Sequence, residues 1–320
     1  MDENNETLRY SPVVIPTLNR FTHLKRCIES LANCSGADKT ILIIGLDYPP
    51  GQKYYDGYFK IKDFLPKVTG FQNVVVINAK ENLGAVNNCR RLYDYVISLG
   101  FNKCIFTEDD NEFSPNFLEF INKGFSMFEA DNHVMAVCGY LPPQISGNVN
   151  GCFLGNMFTA WGAGIWLNKK YTYQTIGEKE YLNNVLYSWK DSLRLFRLRS
   201  DSLQGFLSMH FKKEIYGDVF KTAEILLEDR WCLYPEMTKV RNWGHDGSGV
   251  NCNNMKYDIY SAQKIDEDDH YSFVSTQIQR QCIAGYTDKN IWRKIVILFR
   301  YFVFRAFDLD LLDFYYRKRI

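Results

Sequence analysis

The sequence has no long apolar segment, no paired-cysteine motif and almost no net charge, and each absence excludes a class of protein. No stretch approaches the roughly 20 consecutive apolar residues that a membrane-spanning helix needs. The nine cysteines form no C-x-x-C pair, which favours reduced thiols over a disulfide framework or a zinc site. A formal net charge of +1 argues against a general nucleic-acid-binding protein.

The sequence also lacks internal repeats, low-complexity tracts and an apolar core near its start. The residues from Met1 to Thr7 are polar and acidic, unlike a signal peptide, so we expect a cytoplasmic protein. Its 320 residues, of which 46% are apolar, are enough for one large domain or two.

The first half of the chain alternates between two hydrophobic patterns. Short β-rich runs at 12–15, 40–44, 73–77 and 103–107 predict buried strands. Helical spacing of apolar residues predicts helices at 22–31, 85–97 and 116–128. Alternating strands and helices indicate an α/β fold, in which helices flank a Rossmann-like, mostly parallel sheet.

Polar residues follow each of the four predicted strands. Asn19 and Arg20 follow the first strand, Asp47 the second, and Asn82 and Gly84 the third. Three consecutive carboxylates follow the fourth. Ligands bind beyond the carboxyl ends of the strands in sheets of this kind. The four strand ends therefore predict a single binding crevice.

The carboxylate triplet Glu108-Asp109-Asp110 is the most informative motif in the chain. Adjacent negative charges at the end of a buried strand repel one another and are costly unless a cation lies among them. Oxygen ligands suit Mg²⁺ or Mn²⁺, which keep open positions for a substrate phosphate. The alternative interpretation is a solvated acidic turn after a strand.

The second half of the chain is less regular. Trp161 and Gly162 lie between apolar runs, and amphipathic helical patterns cover 181–207 and 218–233. A glycine-rich loop follows at 243–249 and predicts a mobile lid.

Several motifs resemble those of family-two-type glycosyltransferases with the GT-A fold. Val14-Ile-Pro-Thr-Leu-Asn-Arg20 resembles their opening strand and loop, and Asn82-Leu-Gly84 with Asn87 resembles their N-x-G element. The triplet resembles their D-x-D metal motif, in the E-D-D form shared with the N-acetylglucosaminyltransferase that begins complex N-glycans. The resemblance continues through 161–164, 232–239 and 243–244, and covers most of 11–252.

This resemblance implies an inverting, metal-dependent transfer of a sugar from a UDP-sugar to a hydroxyl group of a lipid-linked glycan. Bacterial enzymes that assemble capsule, exopolysaccharide or lipopolysaccharide O-chains are the expected relatives. Residues 8–146 would form the nucleotide-sugar-binding half of the GT-A domain and 147–260 its acceptor and catalytic half. Residues 261–320 would form a helical, membrane-associating segment.

The resemblance also implies roles for single residues at the strand ends. Asp110 would ligate Mn²⁺ or Mg²⁺ directly and Asp109 would face the ribose or donor sugar, whereas the role of Glu108 stays open. Asp47 would accept the imide N–H of uracil, or is a turn residue before Pro49. Further nucleotide-sugar contacts are implied for Pro16, Thr17, Asn19, Arg20, Asn82, Gly84, Asn87, Trp161 and Gly162.

Four residues have open alternatives. Arg20 and Arg90 are candidate contacts to the diphosphate or to the base, or surface charges. Trp161 stacks on a sugar face or packs in the core. His245, in the glycine-rich loop, is a manganese ligand or a solvated loop residue.

The catalytic base is predicted to be Asp218, because it begins a helical run that precedes Cys232 at the distance found in the resembling enzymes. A base also needs a partly dry site that raises its pKa towards working pH. The resembling enzymes often have an aromatic residue directly after the catalytic aspartate, where this chain has Val219. Asp229 is the rival base, and Asp218 is otherwise a helix-start residue favoured by the macrodipole.

The segment 289–307 has a separate amphipathic pattern. A helical wheel gathers the cations on one side, with Phe304 among them, and apolar residues on the other. The cations are Lys289, Arg293, Lys294, Arg300 and Arg305. The apolar side holds Trp292, Ile295, Val296, Leu298, Phe299, Phe302, Val303 and Phe307.

This pattern, with the terminal Arg317-Lys-Arg319, predicts a helix on the anionic inner face of the cytoplasmic membrane. The alternative is a helix packed on the domain or in a dimer contact.

Other functions compete with glycosyl transfer. A sugar-nucleotide pyrophosphorylase shares such a sheet, but its first loop is rich in glycine and Pro16-Thr-Leu-Asn-Arg20 is not. A glycoside hydrolase needs paired carboxylates without a nucleotide site. The non-enzyme alternative is an inactive, membrane-associated protein that binds a glycan or nucleotide.

Overall fold

The structure is a computed structural model that describes residues 9–145, 151–248, 258–273, 278–287 and 290–310. The chain forms two compact units. The first comprises Met1–Leu154, Thr159–Lys169 and Leu233–Gln279, and the second Gly155–Phe158, Lys170–Cys232 and Arg280–Ile320. The expected boundary between 146 and 147 lies outside the described residues, as do Lys289, Gly249 and Arg317–Arg319.

The first unit contains the strands of a large sheet and the helices that cover it. The strands are β1 (Val13–Thr17), β2 (Ile41–Leu46), β3 (Asn73–Asn78), β4 (Lys103–Phe106), β5 (Asn111–Phe113), β6 (Val134–Cys138), β7 (Phe153–Gly155), β8 (Ala163–Trp166), β9 (Trp231–Tyr234) and β10 (Val240–Asn242). The helices are α1 (Phe21–Ala32), α2 (Tyr55–Phe64), α3 (Gly84–Ser98) and α4 (Phe117–Phe128). The chain passes between the two units within β7 and again within β9.

Eight of these strands belong to the large sheet, in the order β7-β9-β6-β8-β4-β1-β2-β3, whereas β5 and β10 do not. β1 is parallel to both β2 and β4, and β2 is parallel to β3. β8 is antiparallel to β4 and β6, so β6 runs in the same direction as the first four strands. The predicted α/β architecture with a mostly parallel, helix-flanked sheet is confirmed.

Continuous apolar sequence suits β1 and β2, which are interior strands with a neighbouring strand on each side. Val13–Ile15 and Leu42–Ile44 have no exposed surface, as expected for strands that are covered on both faces. Helix α3 packs against both strands, and the buried residues of α1 are Leu24, Cys27, Ile28 and Leu31. Gly45 in β2 lets α3 approach closely, because a Cβ there would lie 2.7 Å from the side chain of Asn88.

A small second sheet joins distant parts of the first unit. β5 pairs antiparallel with β10, and Asn111 lies opposite Asn242. β5 follows the carboxylate triplet directly, so this pairing brings the chain around residue 242 to the carboxyl end of β4.

The second unit is mainly helical. It contains α5 (Thr172–Ile176), α6 (Glu178–Tyr187), α7 (Trp189–Leu198), α8 (Ser200–Lys212), α9 (Gly217–Leu227), α10 (Ile291–Phe307) and the short strand β11 (Arg280–Gln281). The single helical pattern predicted over 181–207 is wrong, because Ser188 and Arg199 have extended backbone and separate three helices. The Ser188 side chain accepts the N–H of Asp191 at 3.2 Å and so begins a new helix.

The predicted C-terminal helix exists as α10, but its faces differ from the predicted ones. Arg300 and Phe304, which the helical wheel placed on a solvated basic side, are 3% and 1% exposed. They pack inside the second unit. No helix in the described part of the chain is both long enough and apolar enough to cross a membrane.

Candidate functional site

The carboxylate triplet lies at the carboxyl end of β4, where the fold turns towards β5. Asp109 and Asp110 are only 4% and 5% exposed, whereas Glu108 is half-buried. The interpretation of the triplet as a solvated turn is therefore wrong for these two aspartates. Two buried carboxylates need a positive partner or several hydrogen-bond donors.

Arg20 supplies that positive charge. It precedes α1, and its Nη1 donates to Asp110 Oδ2 at 2.7 Å while Nη2 donates to Asp109 Oδ1. Thr17, at the end of β1, donates its hydroxyl to Asp109 Oδ2 at 2.7 Å. Because β1 and β4 are parallel neighbours, their carboxyl ends deliver Thr17, Arg20, Asp109 and Asp110 to one place.

The loop after β10 closes the site from the other side. Asn242 is 1% exposed and donates to Asp110 Oδ1 at 2.7 Å and to Asn111 Oδ1 at 2.9 Å. Its own side-chain oxygen accepts the N–H of Gly244 at 2.9 Å. The N–H of Trp243 donates to the backbone oxygen of Asp110 at 2.9 Å. Asn242 was not predicted, because its role depends on the β5–β10 pairing and not on a local motif.

The charges in this site shift its pKa values. Burial raises the pKa of Asp109 above its ordinary value, although Arg20 opposes that shift. Burial alone would lower the pKa of Arg20, but Asp109 and Asp110 outweigh it and raise that pKa. Arg20 is therefore always charged here, and the site has a permanent internal cation.

The two aspartates also suit a divalent metal ion. Magnesium commonly takes one or two protein carboxylates and completes its shell with water and substrate phosphate. Within the described residues, no group of three or more His, Cys, Asp or Glu side chains could hold a metal by itself. Each of the four carboxylate oxygens already accepts a hydrogen bond from Thr17, Arg20 or Asn242. A divalent ion therefore fits once Arg20 has turned away.

Asp47 holds the loop that leads into α3. It is 4% exposed, and its Oδ1 accepts the N–H groups of Tyr48 and Leu83, both at 2.9 Å. Its Oδ2 accepts the N–H of Gly84 at 2.9 Å and the Asn82 side chain at 3.3 Å. A carboxylate has about four acceptor positions, so these donors already occupy them. For Asp47 to read a uracil ring, one of them must leave.

The N-x-G element forms the turn that Asp47 holds. Asn82 is exposed and donates to the backbone oxygen of Tyr48 at 2.7 Å. Gly84 has a φ of +74°, a left-handed conformation that favours glycine. Asn87 is exposed and donates to the backbone oxygen of Leu83 at 3.1 Å. Arg90 is exposed too, whereas its neighbour Arg91 binds backbone oxygens at the ends of β2 and β3.

The remaining predicted contacts after β1 serve the backbone. Pro16 lies opposite Gly45 in the β1–β2 pairing and is half-buried. The backbone oxygen of Asn19 accepts the N–H of Phe21 at 3.0 Å, at the start of α1.

His245 belongs to a cluster of aromatic rings. It stacks on Tyr260 with a centroid distance of 4.3 Å, and Trp161 meets both rings edge-on at 5.8 and 5.5 Å. Tyr140 contacts Trp161 at 4.6 Å. His245 Nδ1 is buried and has no hydrogen-bond partner among the described residues. This nitrogen is therefore available to a ligand.

Gly162 has a structural reason to be glycine. Its φ is +65°, and a Cβ would lie 2.8 Å from Val240. Its backbone oxygen accepts the N–H of Gly139 at 2.8 Å. His23 in α1, which had no predicted role, contacts the glycine-rich loop, with its Nε2 3.2 Å from Asp246.

The predicted base belongs to the second unit. Asp218 lies in the first turn of α9 with an exposed side chain. Its rival Asp229 has a φ of +52° just after that helix, which is a common way for a helix to end. Glu224, which sequence reasoning missed, is fully buried in α9, and burial raises its pKa to about 7. It pairs with Arg230 at 2.7 Å and accepts the N–H of Tyr173.

A cavity of about 590 Å³ lies elsewhere in the first unit, beside β3. Leu65, Val74, Val76 and Lys62 are among its lining residues, and it contains no carboxylate. Its lining includes no carboxylate, histidine or cysteine, so we place the candidate site at the acidic pair.

Comparison with known proteins gives remote structural similarity only. No family model and no curated protein matches the chain.

TarS of S. aureus matches 40% of this chain and 21% of its own, with 14% identity and a TM-score of 0.28. The mannosyltransferase PcManGT from Pyrobaculum calidifontis, in complex with GDP-Man and Mn²⁺, matches 69% of each chain with 11% identity and a TM-score of 0.39. The apo-form glycosyltransferase GlyE of Streptococcus pneumoniae TIGR4 matches 70% of this chain and 44% of its own, with 13% identity and a TM-score of 0.34. The chain thus spans less than half the length of TarS and GlyE, and similarity this remote carries no argument about function.

The contact between Gly244 and Asp110 yields a testable prediction. A Cβ at Gly244 would clash with the Asp110 carboxylate, whereas a Cβ at Gly51 would meet nothing within 4 Å. Gly244→Ala should therefore displace Asp110 and lower the melting temperature, whereas Gly51→Ala should leave it unchanged. Equal melting temperatures of the two variants would show that Gly244 does not pack against the acidic pair.

Proposed function

We propose that this protein is a glycosyltransferase with the GT-A fold, which transfers a hexosyl or N-acetylhexosaminyl group from a UDP-sugar to a hydroxyl group of a glycan. The observation that carries the proposal is the buried pair Asp109–Asp110, held with Arg20 at the carboxyl ends of adjacent parallel strands. Strand ends of this kind bind nucleotides. Inversion and a lipid-linked acceptor, as in capsule, exopolysaccharide or O-chain synthesis, rest on the resemblance of the sequence motifs.

The leaving group sets the first chemical requirement. A departing UDP carries negative charge on its diphosphate, and fixed positive groups must stabilise that charge. Arg20 has five N–H donors in a planar fork that matches phosphate oxygens. When bound at Asp110, Mn²⁺ or Mg²⁺ would neutralise the same diphosphate. Arg20, released from the carboxylates, would then donate to a diphosphate oxygen.

The donor needs contacts beyond the diphosphate. Asp109 and Thr17 lie deepest and are suited to hydroxyl groups of the ribose or sugar. Trp161 and Tyr260 offer ring faces on which a sugar can pack. His245 Nδ1, unpaired in the described part of the chain, is suited to the metal or to a sugar hydroxyl.

The acceptor hydroxyl must lose a proton as it attacks. The proposal assigns this proton to Asp218, whose place at the start of α9 matches the position of the base in the resembling enzymes. General-base catalysis contributes about 10²–10⁴-fold in rate. A carboxylate that is exposed in the free protein becomes a stronger base when bound substrate excludes water from it.

A screen of nucleotide sugars tests the proposed function. One UDP-sugar among UDP-glucose, UDP-galactose and their N-acetylated forms should be hydrolysed slowly to UDP and free sugar, and only with Mn²⁺ or Mg²⁺ present. Asp110→Asn should lower the rate of this hydrolysis by about 100-fold or more, because the neutral amide is a poor metal ligand. Asp56→Asn is the matched control, since its side chain is 80% exposed in α2.

Two outcomes would contradict the assignment. UTP formation from a UDP-sugar and pyrophosphate would indicate a pyrophosphorylase. The second outcome is that the folded protein releases UDP from none of the donors and shows no metal-dependent binding of UDP. This outcome would favour an inactive binding protein.

The role of Asp218 has its own test. Asp218→Asn should lower kcat by about 100-fold or more while the Kd for UDP changes less than twofold, because general-base catalysis acts on the acceptor and not on nucleotide binding. Asp229→Asn should keep turnover near that of the wild type. The opposite pattern, with activity lost in Asp229→Asn alone, would move the base to Asp229.

A further inference from the structure

Helix α10 is held in the second unit by one face only. Ile297, Tyr301 and Phe304 on that face are at most 1% exposed. Arg300, 3% exposed, donates to both carboxylate oxygens of Asp310 at 2.8 and 2.7 Å and to the Ser208 hydroxyl at 3.2 Å. The orientation of α10 on the unit is therefore fixed by a buried ion pair as well as by apolar contacts.

The opposite half of α10 is exposed and carries no polar side chain. With 3.6 residues per turn, residues 291, 292, 295, 296, 298, 299, 302, 303, 306 and 307 share this half, and all are apolar. Trp292 is 75% exposed, Phe299 60% and Val296 56%. We call these ten residues the apolar face. Single exposed apolar residues are ordinary, but a contiguous patch of this kind indicates an interaction surface.

Cations border one edge of the apolar face. On the same helical projection Lys294 and Arg305 fall between the apolar face and the packed face, whereas Arg293 falls within the packed arc, between Arg300 and Phe304. Arg293 lies 3.0 Å from Asp201, and Arg305 lies over the rings of Tyr187 and Trp189. The helix contains four cations and no acidic residue.

Neighbouring aromatic residues extend the patch. Trp189 is 44% exposed and contacts Phe302 at a centroid distance of 5.6 Å. Tyr187 is half exposed at the other side of Arg305. Tryptophan and tyrosine, with one apolar part and one polar part, favour the boundary between lipid headgroups and acyl chains.

We propose that the apolar face of α10 docks onto the surface of an anionic lipid bilayer, with the helix axis in the membrane plane. The apolar side chains would enter the boundary between headgroups and acyl chains, and Lys294 and Arg305 would contact the lipid phosphates. Arg300 and Asp310 stay inside the protein and hold the helix in position. This proposal concerns a surface of the second unit and does not depend on the proposed enzymatic activity.

Charge favours lipid over a second copy of the chain as the occupant. A two-fold dimer would place this surface against itself. In an antiparallel pairing the edge with Lys294 and Arg305 would face the same edge of the other copy, with no acidic residue in α10 to pair with it. An anionic bilayer offers the complementary charge and leaves those cations hydrated at its surface.

Vesicle flotation of the full-length protein tests the proposal. The protein should float with phosphatidylcholine vesicles that contain about 30% phosphatidylglycerol, and binding should weaken at high salt because Debye screening reduces the attraction. Phe299→Glu should reduce the partition coefficient at least tenfold. Phe59→Glu is the matched control, because Phe59 is 54% exposed on α2 in the first unit.

A second variant separates charge from apolar burial. The double variant Lys294→Glu, Arg305→Glu should have a partition coefficient on anionic vesicles that is lower by about fivefold per cation. Its partition coefficient on neutral vesicles should change little. The tryptophan fluorescence of the wild-type protein should shift to the blue when vesicles are added. This shift should be smaller in Trp292→Phe. Circular dichroism checks that all variants are folded.

The proposal is overturned by either of two results. Unchanged flotation of folded Phe299→Glu would show that the apolar face does not contact lipid. The second result has two parts: light scattering shows a wild-type dimer that Phe299→Glu dissociates, and the wild type does not bind vesicles. This result would assign the apolar face to a second copy of the chain.

Discussion

The ion pair that joins Arg20 to Asp109 and Asp110 organises the carboxyl ends of the central strands. Without it, two adjacent carboxylates would be buried with no opposing charge, and removing one partner of such a group typically destabilises a protein by about 3–5 kcal/mol. Thr17 and Asn242 donate to the carboxylate oxygens that Arg20 does not contact, so β1, β10 and the chain after β4 are joined at one point. A cation is required here, and Arg20 supplies it.

Much of this site could be predicted from the sequence, because its parts follow short, strongly patterned strands. The apolar runs that became β1 to β4 fixed the fold class, and polar residues directly after them marked the crevice. The roles of these residues were harder to predict. Asp47 was expected either to read a base or to be a turn residue, and in the structure its oxygens hold the turn before α3. A carboxylate after a strand looks the same in sequence whether it faces a ligand or a backbone N–H.

The residues that sequence reasoning missed depend on contacts between distant segments. Asn242 reaches Asp110 only because β10 pairs with β5, and Tyr260 reaches His245 from outside every motif. On α10, Arg300 belongs to the packed face because Asp310 neutralises it. A helical wheel treats every arginine as solvated and has no means of detecting a buried partner. Amphipathicity therefore predicted the helix correctly and placed two of its residues on the wrong side.

Manganese affinity in the absence of nucleotide tests the central claim, that Arg20 occupies a cation site formed by Asp109 and Asp110. Titration followed by the electron paramagnetic resonance of free Mn²⁺ would compare the wild type, Arg20→Lys and Arg20→Gln. Removing the internal cation should make Arg20→Gln bind Mn²⁺ at least tenfold more tightly, whereas Arg20→Lys keeps the charge and should stay close to the wild type. Asp110→Asn added to Arg20→Gln should abolish the gain. Equal, weak Mn²⁺ binding in all folded variants would contradict the claim.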